Sequence, residues 1–191
     1  MNIDLLNKIA NQMVNHSKGI LAIDESHGTC KKRFDALNIP VNEESRRSYR
    51  DMLVSAKSLD QYISGAILFD ETIKQKTSNG ALFPQYLDSI GILPGIKVDA
   101  GAKPFSCHPD EKITEGLDNL PQRMEEYKQL GAKFAKWRAV ITIGSKMPSA
   151  ACMIANSHAL ARYASICQEF DIVPIVEPEV LMDGEHDIKK C

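Results

Sequence analysis

The sequence predicts an α/β fold built on a parallel sheet of the (β/α)-barrel kind, and three observations predict it. Five short apolar runs are led in by glycine or a turn and finish in ionisable or small polar residues. Such runs of four to eight residues are what strands look like when both sheet faces are covered. Segments of helical character separate the runs, and a strand, helix, strand order implies a parallel sheet with right-handed crossovers. The runs recur at roughly 30 to 45 residues, a spacing that suits βα units and not a self-similar solenoid. Barrel enzymes build their sites at the C-terminal ends of the strands, so charge recurring at run after run marks a functional rim.

Taken in order, the N-terminus sets Asp4 and Lys8 among Leu5, Leu6, Ile9, Met13 and Val14. That is the spacing of an amphipathic helix and not of an apolar signal segment. The first strand is Gly19-Ile-Leu-Ala-Ile-Asp-Glu-Ser26, which aligns Asp24 with Ala22 and Ser26 on one face. Residues 42–58 place Tyr49, Met52, Leu53 and Ala56 at three- and four-residue spacing, predicting a helix over the sheet. Gly65-Ala-Ile-Leu-Phe-Asp-Glu71 is the second strand, and residues 74–94, with Ser78-Asn79-Gly80, Phe83-Pro84 and Leu93-Pro94, read as turns and loop.

The third strand, Gly95-Ile-Lys-Val-Asp-Ala-Gly101, puts Lys97 on the face of Gly95 and Asp99, and residues 103–116 read as a second loop. Residues 120–130 form a helix with Pro121 in its first turn and Gly131 at its end. Phe134-Ala-Lys-Trp-Arg-Ala-Val140 is the fourth strand, and the alanine-rich residues 148–170 the next helix. The fifth strand is Ile172-Val-Pro-Ile-Val-Glu-Pro-Glu179, after which Glu185-His186-Asp187 reads as a polar turn leading to another helix.

At 191 residues the chain suits a single domain spanning residues 1–191, yet a closed eight-stranded barrel usually takes roughly 200 to 400. With 43% hydrophobic residues, 25% charged residues and a net charge of −2, it lacks the basic balance of a nucleic-acid or anionic-membrane binder. Its five cysteines are odd in number and form no Cys-x-x-Cys pair, which predicts reduced thiols and a cytoplasmic location. No run approaches the roughly 18 apolar residues of a membrane span. His16, His27, His108, His158 and His186 fall in no zinc-binding spacing, so no metal is expected.

Alternation along the fourth strand puts Phe134, Lys136 and Arg138 on one face, away from Ala135, Trp137 and Ala139. Two cations inside a barrel need anions, either a carboxylate rim or a phosphorylated substrate. A purely internal salt-bridge network is the alternative. The fifth strand aligns Ile175, Glu177 and Glu179, and repulsion between the two carboxylates is expected to keep a proton on one of them near neutral pH. Otherwise both simply pair with Lys136 and Arg138. Four run endings thus bring Asp24, Lys97, Lys136, Arg138 and Glu177 to one mouth, where a lysine is expected to have a depressed pKa.

Leu21-Ala-Ile-Asp-Glu-Ser26, Gly95-Ile-Lys-Val-Asp99, Gly131-Ala-Lys-Phe-Ala-Lys-Trp-Arg138, Ala161-Arg-Tyr-Ala-Ser-Ile-Cys-Gln168 and Ile172-Val-Pro-Ile-Val-Glu-Pro-Glu179 together resemble class I fructose-bisphosphate aldolase. Glu44-Ser-Arg-Arg-Ser-Tyr-Arg50 and Asp183-Gly-Glu-His-Asp187 extend the resemblance over nearly the whole chain. Ile23 and His27 stand where the family usually carries alanine and threonine. The resemblance implies a TIM (β/α)8 barrel, about five of whose eight βα units lie in this chain. It also implies reversible, metal-independent cleavage of fructose 1,6-bisphosphate to dihydroxyacetone phosphate and glyceraldehyde 3-phosphate through a lysine Schiff base, without a cofactor.

Under that resemblance the candidate catalytic set is Asp24, Lys136, Glu177 and Glu179. Glu177 would shuttle protons, Asp24 would hold and polarise substrate hydroxyls, and Lys136 would stabilise developing charge. Lys97 and Arg138 would face phosphate, helped by Ser26, Thr29, Lys32 and Arg33. The family's Schiff-base lysine ends a sixth strand, past Cys191, so a truncated and inactive chain is the expectation. Two alternatives stand beside it: Lys136 is itself the nucleophile, or the chain is a non-catalytic piece that binds sugar phosphate or a protein partner. A homotetramer is implied by the family alone.

Overall fold

The computed structural model describes residues 1–14 and 17–191, so His16 lies outside the described residues. Helix α1 (Ile3–Met13) starts where the Asn2 side chain accepts from the Leu5 amide and turns Ile9 and Met13 inward. Strand β1 (Gly19–Ala22) then leads into α2 (His27–Ala36), which the Ser26 hydroxyl caps by accepting from the Thr29 amide. Asn42 caps α3 (Glu43–Val54) in the same way, and the short α4 (Leu59–Tyr62) precedes β2 (Ile63–Leu68). Capping side chains of this kind satisfy amides that the first helical turn leaves without partners.

Beyond β2 come α5 (Asp70–Ile73), α6 (Phe83–Ser89) and β3 (Leu93–Lys97). A hairpin of β4 (Ala102–Pro104) and β5 (Lys112–Thr114) follows, then α7 (Leu120–Gln129), β6 (Phe134–Ile141), α8 (Ala150–Glu169) and β7 (Val173–Val180). Strands β1, β2, β3, β6 and β7 form one sheet in that order, with every pairing parallel. These are the five apolar runs, and the sheet with its helices is the partial TIM barrel that the fold class required.

Two stretches read as loop are structured. Residues 74–94 contain α6, because Pro84 fits a first helical turn while Phe83 and Leu87 are fully buried beneath it. Residues 103–116 contain most of the β4–β5 hairpin, whose three-residue strands are too short for alternation to show. Its support is tertiary: the Thr114 amide donates to Asn156 Oδ1 at 3.1 Å, and the Thr114 hydroxyl donates to the Arg138 carbonyl at 2.8 Å.

Strand alternation divides the core. On the outer face Leu68, Ile96, Ala135, Trp137 and Ala139 meet helix residues such as Leu87, Met124 and Tyr163. The inner face is filled at its lower end by Ile67 and Phe134, against which α1 sets Ile9 and Met13. Gly95 and Gly65 make this possible. A β-carbon on Gly65 would come within 2.9 Å of the Phe134 ring, and one on Gly95 would overlap the ring outright. Two inward glycines therefore make room for one inward phenylalanine, two residues below Lys136 on the same face. Among the described residues no helix is long and apolar enough to cross a membrane.

Candidate active site

A cavity of about 350 Å³ opens where β1, β3, β6 and β7 end. Asp24 reaches it because the Ile23 amide donates to the Ile67 carbonyl at 3.1 Å, extending strand pairing one residue past β1. Ile23 is then buried outward and Asp24 turned inward, 9% exposed. Register brings the remaining groups alongside. Lys97 is opposite Lys136 across β3 and β6, and Arg138 is opposite Glu177 across β6 and β7.

Lys136 is the centre of this cluster. Its Nζ donates to Asp24 Oδ2 at 3.2 Å and lies 3.4 Å from Glu177 Oε2. Burial by itself would lower the Lys136 pKa, but the two carboxylates outweigh it and hold the ammonium above its ordinary value. The depressed lysine pKa expected from the sequence is thereby overturned: carboxylates, not cations, are its nearest charged neighbours.

The other charges are paired as well. Lys97 Nζ donates to Asp99 Oδ1 at 2.6 Å and to the Asp99 carbonyl at 3.0 Å. Arg138 Nε donates to Glu179 Oε2, and this hydrogen bond holds the Glu179 carboxyl below the usual carboxylate range despite partial burial. The proton sharing expected of Glu177 and Glu179 does not arise at Glu179, because its carboxylate is engaged by Arg138. Glu177, with its side chain 30% exposed, is the more open of the two acids on Lys136; the Asp24 side chain is 11% exposed.

Ser26 and Thr29 also line the cavity, joined by a 3.1 Å hydroxyl contact. Lys32 and Arg33 do not. Lys32 lies on the exposed side of α2, while Arg33 turns to Glu25 and to the Tyr49 hydroxyl at 3.3 Å. The charges ending the second run also stay out of the cavity. Asp70 accepts from the Tyr127 hydroxyl at 2.8 Å, and Glu71 takes a two-pronged bond from Arg46 at 2.8 and 2.7 Å.

Sequence reasoning gave no site role to Glu25 or Asp99, yet both line the cavity. Asp99 had a readable signal, since it shares its parity with Lys97. Three cations against five carboxylates surround the space, so these residues form an acid-rich mouth. Such a mouth can accept hydrogen bonds from hydroxyls, move a proton and hold one buried ammonium. Among the described residues no three histidine, cysteine, aspartate or glutamate side chains are grouped to hold a metal ion.

A family model described as fructose-bisphosphate aldolase class-I matches residues 5–191. The chain is 58% identical over 191 residues to a probable fructose-bisphosphate aldolase class 1 of Xanthomonas campestris pv. campestris, covering 100% of this chain and 57% of that protein. It is 52% identical over 174 residues to fructose-bisphosphate aldolase 4, cytosolic, of Arabidopsis thaliana, covering 91% and 44%. Among solved structures, fructose-bisphosphate aldolase of Plasmodium falciparum, in complex with TRAP and a small-molecule inhibitor, superposes with a TM-score of 0.93 at 47% identity. That match covers 97% of this chain and 54% of the other. The chain spans about half the length of the relatives it matches.

Proposed function

The chain belongs to the class I fructose-bisphosphate aldolase family, and from that premise we propose that its five strand ends supply the acid–base half of a site that cleaves fructose 1,6-bisphosphate. The observation that carries this reading is the ion-paired group Asp24, Lys136 and Glu177, assembled from the ends of three different strands. Substrate hydroxyls donate to the Asp24 carboxylate, which is held in place by Lys136. Glu177, the more open acid, gives and takes the proton at the reacting oxygen, the role of a positioned general acid and base. Lys136 stays an ammonium and stabilises negative charge as it develops.

Glu179 acts through Arg138, fixing the guanidinium that faces one phosphate, and Lys97 serves the same end beside Asp99. Because carboxylates outnumber cations here, most of the phosphate affinity comes from cations outside this cavity lining. Imine formation needs a free amine. An ammonium held between two carboxylates does not offer one, so Lys136 is not the nucleophile. The family's lysine for that step ends a sixth strand, which is not among the five strands of this sheet. A cytoplasmic location, in line with the cytosolic relative of Arabidopsis thaliana, and the family's homotetramer belong to the same proposal.

Borohydride reduction of the chain with dihydroxyacetone phosphate, followed by peptide mass mapping, tests the assignment of roles. No adduct on Lys136 is expected. A stoichiometric adduct there would make Lys136 the nucleophile and overturn the division of labour described above.

A further inference from the structure

Arg50 is completely buried, an unusual place for a guanidinium unless its donors are taken up. Its partners are mostly uncharged. Nε donates to the Ile23 carbonyl at 3.1 Å and Nη2 to the Glu25 carbonyl at 2.7 Å, the carbonyls of the two residues on either side of Asp24. Nη1 has no hydrogen-bond acceptor and lies 3.7 Å from Glu71 Oε2, while the guanidinium carbon sits 5.6 Å from the centre of the Phe69 ring.

The rest of that α3 face works on the same neighbourhood. Arg46 and Arg50, four residues apart, share one helix side. Arg46 grips Glu71, which in turn meets His27 Nε2 at 3.1 Å at the start of α2. Tyr49 donates to Glu25 Oε1 at 3.0 Å. Asp24 and Glu25 lie between the last strand contact, made by the Ile23 amide, and the Ser26 cap of α2, where neither a strand ladder nor a helix fixes the backbone. A planar guanidinium spanning two carbonyls two residues apart does so with N–H groups held in one fixed plane, a geometry that a lysine ammonium on its flexible stem does not preorganise.

We infer that Arg50 is a positioning residue for Asp24: by clamping the carbonyls on either side it fixes the Asp24 carboxylate against Lys136. The catalytic meaning of this device rests on the function proposed above. Its geometry can be read without substrate, so failure of one does not entail failure of the other.

The experiment measures the acetylation rate of each lysine in the intact chain with a succinimidyl ester at fixed pH, quantified by peptide mass spectrometry. Only the free amine reacts, so a Lys136 that loses part of its carboxylate neighbour reacts faster. In Arg50→Met the Lys136 rate is expected to rise about three- to tenfold. Lys97, paired to Asp99 in the same cavity, keeps its rate. Arg50→Lys, which keeps charge and bulk should the methionine variant fold poorly, gives a smaller rise at Lys136 alone. Asp24→Asn raises the Lys136 rate by itself, and adding Arg50→Met to it produces no further increase. An unchanged Lys136 rate in both Arg50 variants would overturn the proposal. So would a parallel rise at Lys97, or an additive effect in the double variant.

Discussion

Replacing Gly95 by alanine tests how the inner face is built. The added methyl falls on the Phe134 ring, and the ring cannot swing aside freely because Ile9, Met13 and Ile67 pack around it. Overfilling a packed core costs about 1–3 kcal/mol. Alanine loses less backbone freedom on folding than glycine, which returns about 0.5–1 kcal/mol. A net loss of about 0.5–2 kcal/mol follows, or about 1–8 °C in Tm for a chain of this size. Thermal and urea unfolding followed by far-ultraviolet circular dichroism measure it. Phe134→Leu removes the object of the collision, so Gly95→Ala is expected to cost at least about 1 kcal/mol less in that background, a coupling beyond ordinary additivity error. A Gly95→Ala variant as stable as the parent, or equally costly in both backgrounds, would refute the claim that Phe134 occupies the space above two glycines.

Other expectations follow from the same packing and charge arrangement. The Arg46 hydrogen bonds hold the Glu71 carboxyl below its ordinary pKa against the effect of burial. The stability it contributes is present above the unfolded pKa and lost as pH falls through the folded one. Glu71→Gln is therefore expected to cost about 1.5–3 kcal/mol at neutral pH and progressively less in acid, read from urea midpoints across pH. The signs at Lys136 are reversed: its pKa is raised, so its ion pairs contribute throughout neutral pH and are lost in alkali. Lys136→Met is accordingly expected to converge with the parent in stability only at high pH. Trp137, the one tryptophan, is fully buried against Tyr163. Its emission is expected to be blue-shifted in the native chain and to move red in a transition coincident with circular dichroism.

The strands were legible because the five apolar runs carry both the length and the parity that a doubly covered sheet imposes. Parity placed Lys136 and Arg138 on one face and Trp137 on the other, where the structure has them. Helix α3 was legible from its apolar spacing, α7 from Pro121 in its first turn and Gly131 at its end, and α8 from its alanine content. Helix α6 was not, because Leu82, Phe83 and Pro84 sit beside turn-forming dipeptides and its seven residues are too few to establish a period. The hairpin escaped for a related reason, as it depends on contacts to Asn156 and Arg138 that no local pattern reveals.

At the site, residue type and parity identified the groups that converge but not how they pair. Sequence alone made Lys136 a candidate for a lowered pKa, whereas the carboxylate of Asp24, 112 residues away, sets the opposite sign. The family resemblance made Arg33 a candidate helper at the phosphate, yet Glu25 and Tyr49 engage it. Charge neutralisation is a three-dimensional property. The chain announces which charges exist near strand ends, while the register of β6 with β7 and the turn after β1 decide which of them meet.

The most direct test of the proposed acid–base half is to complete it. Residues 1–191 of this chain are joined in register to the remaining length of the Xanthomonas campestris relative, and cleavage of fructose 1,6-bisphosphate is followed by a coupled assay. The hybrid is expected to be active, with Glu177→Gln lowering kcat by about 10² to 10⁴-fold, the contribution of a positioned general acid and base. An inactive but folded hybrid, or an active one indifferent to Glu177→Gln, would contradict the account.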